Sequence, residues 1–108
     1  MANNFRLKTK ANVGVTTTVV YTTPAATTTT VIGITLANTS GSSINVGVGV
    51  SRTGQDSVSL LKGAPVPQGS TLEFMSGNKI VLEATDMITV VSDTNSSLDA
   101  AITILEIN

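Results

Sequence analysis

Ile44-Asn45-Val46-Gly47-Val48-Gly49-Val50-Ser51 decides the fold class. Its branched residues, Ile44, Val46, Val48 and Val50, alternate with Asn45, Gly47, Gly49 and Ser51, and the period of two along a strand sets all four on one face. A helix would scatter them around its axis, so the segment predicts a half-buried β-strand. Gly47-Val48-Gly49 also opens like a dinucleotide-binding fingerprint, but no helix follows to hold a pyrophosphate. Glycines inside an alternating strand point instead to a partner packed closely over them.

The same period extends in both directions. Upstream, Val13 to Thr23 and Thr27 to Ala37 are β-branched runs broken at Thr23-Pro24-Ala25, where proline has no N–H for the ladder. In the second run Ile32, Ile34 and Leu36 are expected on one face. Asn38 to Ser43 and Arg52 to Asp56 are turn-rich links on either side of the Ile44 strand, and with Ser57 to Leu61 they imply two consecutive hairpins. Gly63 to Ser70, rich in Gly and Pro, is expected to cross between sheets without pairing. Strands are then expected at Thr71 to Met75, Lys79 to Ala84 and Met87 to Ser92, divided by Ser76-Gly77-Asn78 and Thr85-Asp86. Leu98 to Ile107 is apolar on both faces, which makes it a central strand or one that meets a neighbouring subunit. About eight short strands give an all-β chain: an antiparallel β-sandwich, jelly-roll or immunoglobulin-like. Residues 1–12 are expected to form an N-terminal arm and residues 13–108 a single β-sandwich domain.

The chain has 108 residues with two Phe, one Tyr and no Trp, so its core is built from Val, Ile, Leu and Ala. Size scaling gives a folded surface of roughly 5,600 Å² and a modest core. No Cys or His is present to form a disulfide or a structural zinc site. Only 12% of residues are charged and the mean hydropathy is positive, which leaves oligomerisation as the expected route to stability and places apolar surface against a partner. A formal charge of −1 gives no drive toward nucleic acid or anionic membrane. Nothing near 18 consecutive apolar residues occurs, and the first ten residues lack the apolar run of a signal peptide.

Without His or Cys, most nucleophilic and acid–base chemistry at neutral pH is excluded, and the chain is not expected to be an enzyme. Asp56, Glu73, Glu83, Asp86, Asp93 and Asp99 fall at turns or on the polar phase of strands, where they read as solvated groups rather than a carboxylate pair. Asp93, Asn95 and Asp99 could in principle collect calcium, but their spacing matches no defined loop and an Asx-turn needs no ion. No cofactor or metal is expected. Arg6, Lys8 and Lys10 concentrate half of the six basic residues in the first ten positions. Two readings of this segment stand: a solvated arm, or an inter-subunit arm in which Phe5 and Leu7 anchor on a neighbour while Arg6, Lys8 and Lys10 pair with its acidic groups. Single-stranded nucleic acid is disfavoured because Phe5, Tyr21 and Phe74 are too few for a stacking platform.

The Val19-Val20-Tyr21-Thr22-Thr23-Pro24 opening, the run Ile32 to Asn38 and the segment Lys79 to Ala84 together resemble small β-sandwich virion structural proteins of tailed bacteriophages, marine and cyanobacterial phages among them. That resemblance implies a subunit made in the bacterial host cytoplasm and carried on the virion. Its expected role is capsid decoration, stabilising the particle through subunit contacts. A neck, tail or baseplate component is the first alternative, and a carbohydrate or receptor-binding module, disfavoured by the scarcity of aromatics, the second. The implied partners are other virion proteins and further copies of the chain. No functional residue is transferred.

Overall fold

The computed structural model describes residues 2–74 and 79–108. Every regular element among them is a strand: β1 (Asn3–Val13), β2 (Thr18–Thr22), β3 (Thr28–Asn38), β4 (Ile44–Ser51), β5 (Val58–Val66), β6 (Thr71–Phe74), β7 (Ile80–Leu82), β8 (Met87–Ser92) and β9 (Leu98–Ile107). β4 occupies the span its alternation predicts and buries Ile44, Val46, Val48 and Val50. β8 and β9 also match their expected bounds. The turn expected at Ser76-Gly77-Asn78, and Met75 at the end of an expected strand, lie outside the described residues.

One sheet runs β1-β9-β3-β6, with β7 on the same side of β3 as β6, and the other runs β2-β8-β4-β5. Every pairing is antiparallel. Five of them, β1 with β9, β2 with β8, β3 with β6, β3 with β7, and β4 with β5, are the rungs of one long nested hairpin whose tip lies between β4 and β5. Rolling that hairpin adds the pairs β3 with β9 and β4 with β8. This is jelly-roll topology, which resolves the alternative left open by strand patterning. Successive strands alternate between sheets except at β4–β5 and β6–β7; the β4–β5 hairpin forms as expected, whereas Asn38 to Ser43 crosses from one sheet to the other. The Asn38 side chain holds that crossing, donating from Nδ2 to the carbonyls of Ser42 and Val66 and accepting at Oδ1 from the Ser40 N–H.

Three local expectations need correction. A register shift between Val31 and Gly33 turns Val31 inward, so Ile32 leaves the face it was expected to share with Ile34 and Leu36. β5 continues pairing to Val66, through the stretch expected to be an unpaired crossing. Gly63, at φ 65°, accommodates the irregular register there, and Pro65 sits in an edge strand, where its missing N–H leaves no gap inside the sheet. The described part of the expected N-terminal arm is not free. From Asn3 onward it forms β1, in register with β9 from Asn3 opposite Ile107 to Lys10 opposite Ala100.

Between the sheets lies one core of branched aliphatics, including Val31, Ile34, Leu36, Ile44, Leu82, Ile88, Leu98, Ile102 and Ile104. Ring stacking contributes little, and among the described residues Tyr21 is the only ring in the buried core. The exposed surface is 5780 Å², close to the size-scaling expectation.

Candidate assembly surfaces

Outward-facing positions of the β1 sheet follow from its registers. Phe5 lies opposite Leu105, Leu105 opposite Thr30, and Thr30 opposite Val81. Directly opposed residues share a face, so these four form an uncharged row across the whole sheet, perpendicular to its strands. Phe5 is 73% exposed, Leu7 65% and Val81 61%. A cluster of this kind on one face, unlike scattered exposed residues, is the usual signature of a contact surface. β1 is also an edge strand, eleven residues long, and among the described residues it has no neighbour beyond β9 on its other side.

The five candidate residues of the N-terminal segment divide between the two faces of β1. Phe5 and Leu7 point outward, whereas Arg6, Lys8 and Lys10 oppose the inward-facing Ile104, Ile102 and Ala100. Arg6 has an acidic partner within the chain itself: its Nε donates to Glu106 Oε1 at 2.7 Å. The second oxygen of Glu106 accepts from the Tyr21 hydroxyl at 2.6 Å, and that hydroxyl lies 2.8 Å from Thr29 Oγ1. Burial and the adjacent carboxylate push the Tyr21 phenol up to about 12. The hydrogen bond from Tyr21 holds the Glu106 carboxyl below its ordinary value, with Arg6 adding to the effect and burial opposing it. Sequence reasoning passed over Glu106, although a signal was present: it falls on the same phase of β9 as Leu98, Ala100, Ile102 and Ile104. A carboxylate on an apolar phase requires an internal partner.

The outer face of the second sheet has the opposite relief. Gly47 and Gly49 face outward from β4, opposite Val91 and Thr89 of β8. They floor a furrow of about 360 Å³ between β8 and β5, lined also by Ser59 and Lys62. A Cβ on Gly47 would come within 3.2 Å of the Leu61 carbonyl, and one on Gly49 within 3.1 Å of Thr89 Oγ1. The close approach of β5 and β8 therefore crowds any side chain on the furrow floor.

Arg52, Glu83, Asp86, Asp93 and Asp99 brace loops and strand ends. Arg52 donates to Asp86 Oδ1 at 3.1 Å, Glu83 Oε1 at 2.6 Å and Gln55 Oε1 at 3.0 Å, tying the β4–β5 turn to the β7–β8 turn. Asp93 Oδ1 accepts from the Asn45 N–H, and Asp99 Oδ1 from the Asn12 N–H, so the two carboxylates once considered together for calcium brace different strands. The Asn45 N–H holds the Asp93 carboxyl below its ordinary value. Among the described residues no three Asp or Glu side chains gather as a metal site.

No protein-family model matches the chain, and no curated protein matches it. Among solved structures it is similar to one described as "Bacillus endospore appendages form a novel family of disulfide-linked pili". The match has a TM-score of 0.58 at 11% sequence identity and covers 97% of this chain and 85% of the other. At that identity the likeness concerns the fold.

Proposed function

We propose that the chain is a non-catalytic structural subunit that works by being built into a larger protein assembly, a phage-type particle in the first instance. The observation that carries this reading is the uncharged row Phe5–Leu105–Thr30–Val81 across an open sheet face bordered by a long edge strand. Burying such a face between subunits removes apolar area from water at roughly 25 cal/mol per Å². A subunit that binds only the assembled lattice stabilises it by mass action, with no chemistry of its own. The resemblance to virion proteins favours capsid decoration, with neck, tail or baseplate as the variant on the same theme.

A pilus-like filament is the second reading, favoured by the likeness in fold to a chain described with disulfide-linked pili. This chain has no cysteine, so contacts between its copies would be non-covalent. Mass spectrometry of particles and appendages purified from the source tests both readings. Recovery of the chain at a fixed copy number in capsids supports decoration, and recovery from filaments supports the second reading. Absence from every particle and filament sinks the subunit role.

A further inference from the structure

We infer that copies of this chain stack head to tail, with Phe5 and Leu7 of one copy lying along the furrow floored by Gly47 and Gly49 of the next. This deepens the subunit reading and rests on it. The two surfaces match in four respects. Phe5 and Leu7 are consecutive outward positions on β1, and Gly47 and Gly49 consecutive outward positions on β4. Both pairs are thus spaced by two residues of a pleated strand, roughly 6.6 Å. Projecting apolar side chains at that spacing meet a floor without side chains at the same spacing.

Relief also selects the pairing. Two copies of the Phe5 face would set knob against knob, and two furrows would enclose a void, each losing dispersion contacts. Charge points the same way. Lys62 lines the furrow, so joining two furrows would bring like charges together. On β1, Arg6, Lys8 and Lys10 oppose inward-facing residues, which keeps these three cations off the Phe5 face, whose outward positions carry the acidic Glu73 and Asp99 instead. Size is sufficient, because the sandwich measures 45 × 27 × 22 Å and its broad face can supply the ~800 Å² per partner of an ordinary stable interface.

The furrow and the Phe5 row lie on opposite outer faces of the sandwich. A contact between two different patches is heterologous, and with the patches on opposite faces it does not close into a dimer but repeats as an open stack. The test uses two full-length variants, Phe5→Ser, which removes a knob, and Ser59→Arg, which fills the furrow opposite Gly49. Both positions are exposed, and thermal unfolding checks that each variant folds. Thr17→Arg, at another exposed position lining the furrow, replaces Ser59→Arg should the latter not fold.

Size-exclusion chromatography with light scattering is expected to show wild-type mass rising with concentration and each variant alone at the 11.0 kDa protomer mass. An equimolar mixture of the two variants is expected at twice that mass and no higher, because the knob of one can enter the furrow of the other only once. A wild type that assembles while either variant assembles equally well overturns the stack but leaves the subunit reading standing. So does a mixture that remains at the protomer mass. A wild type that never exceeds the protomer mass also overturns the stack, whereas the subunit reading falls only if the chain is absent from purified particles as well.

Discussion

Tyr21, on β2 of one sheet, donates its hydroxyl hydrogen to Glu106 on β9 of the other, at 2.6 Å. Both side chains belong to residues only 5% exposed, and the carboxylate is satisfied on its other oxygen by Arg6 from the edge strand β1. One charged group thus ties the last strand, β9, to the first two, β1 and β2. Removing a partner leaves a buried acceptor short of a donor, which costs about 1–3 kcal/mol.

This relationship makes the fold sensitive to alkali. The neutral phenol is favoured in the folded chain, where its pKa is about 12 against an ordinary 10.0. The stability it contributes is complete below pH 10 and is lost as the pH rises through about 12. Urea unfolding of the wild type is expected to weaken across that window. Tyr21→Phe is expected to be less stable at neutral pH and to lack this component of the alkaline decline. An identical decline in the variant would remove Tyr21 as its source.

Acid acts on the other partner. Glu106 is held below its ordinary 4.5 in the folded chain, so it contributes stability that is present above pH 4.5 and lost as the pH falls through its lowered folded value. Glu106→Gln is expected to reduce stability at neutral pH and to flatten the acid limb of a plot of unfolding midpoint against pH. Arg6→Met, which removes the other hydrogen-bond partner of that carboxylate, is expected to shift the acid limb in the same direction by less.

Thr23 gives a prediction of the opposite sign. Its hydroxyl is buried without a hydrogen-bond partner among the described residues, in a residue 1% exposed. Thr23→Val keeps the branched shape and removes the unpaired oxygen. Stability is expected to rise by about 1 kcal/mol. A loss of stability in calorimetry would indicate that the hydroxyl has a partner in solution.

In the Arg52 network, burial separates the two carboxylates. The Asp86 side chain is 7% exposed, bonds Arg52 and also accepts from the Glu83 N–H, whereas the Glu83 side chain is 69% exposed. Asp86→Ala is expected to cost about 2–3 kcal/mol, since it orphans a guanidinium hydrogen and a backbone donor. Glu83→Ala is expected to cost less than ~1 kcal/mol. Chemical denaturation of the two variants side by side checks the ranking.

Much of the fold was legible before the structure. β4, β8 and β9 could be bounded to the residue because each has a period-two apolar phase ended by turn residues. The two-faced apolar pattern of β9 read as either a central strand or one that meets a neighbouring subunit, and the ladders place it between β1 and β3. β1 was not legible. Its sequence Asn-Asn-Phe-Arg-Leu-Lys-Thr-Lys has charged residues on one phase and two lone hydrophobes on the other, which is how a loose arm also reads. What makes it a strand is the ladder offered by β9, a partner some hundred residues away in sequence, and the Glu106 carboxylate waiting beside Arg6. The phase error at Ile32 has the same origin, because a bulge in a central strand is set by both of its neighbours.

Local chemistry therefore determined the class of this protein. Alternating β-branched residues, turn residues at short intervals and the absence of His and Cys suffice to make it all-β and to withhold the common catalytic groups, because side-chain period and reactivity belong to single segments. Only the folded chain decided which way the hairpin rolls, that Phe5 and Val81 share one face, and that the two glycines of β4 lie in a furrow on the opposite one. Those relations join residues tens of positions apart through backbone ladders, and a hydrogen-bond ladder is specified by both strands together.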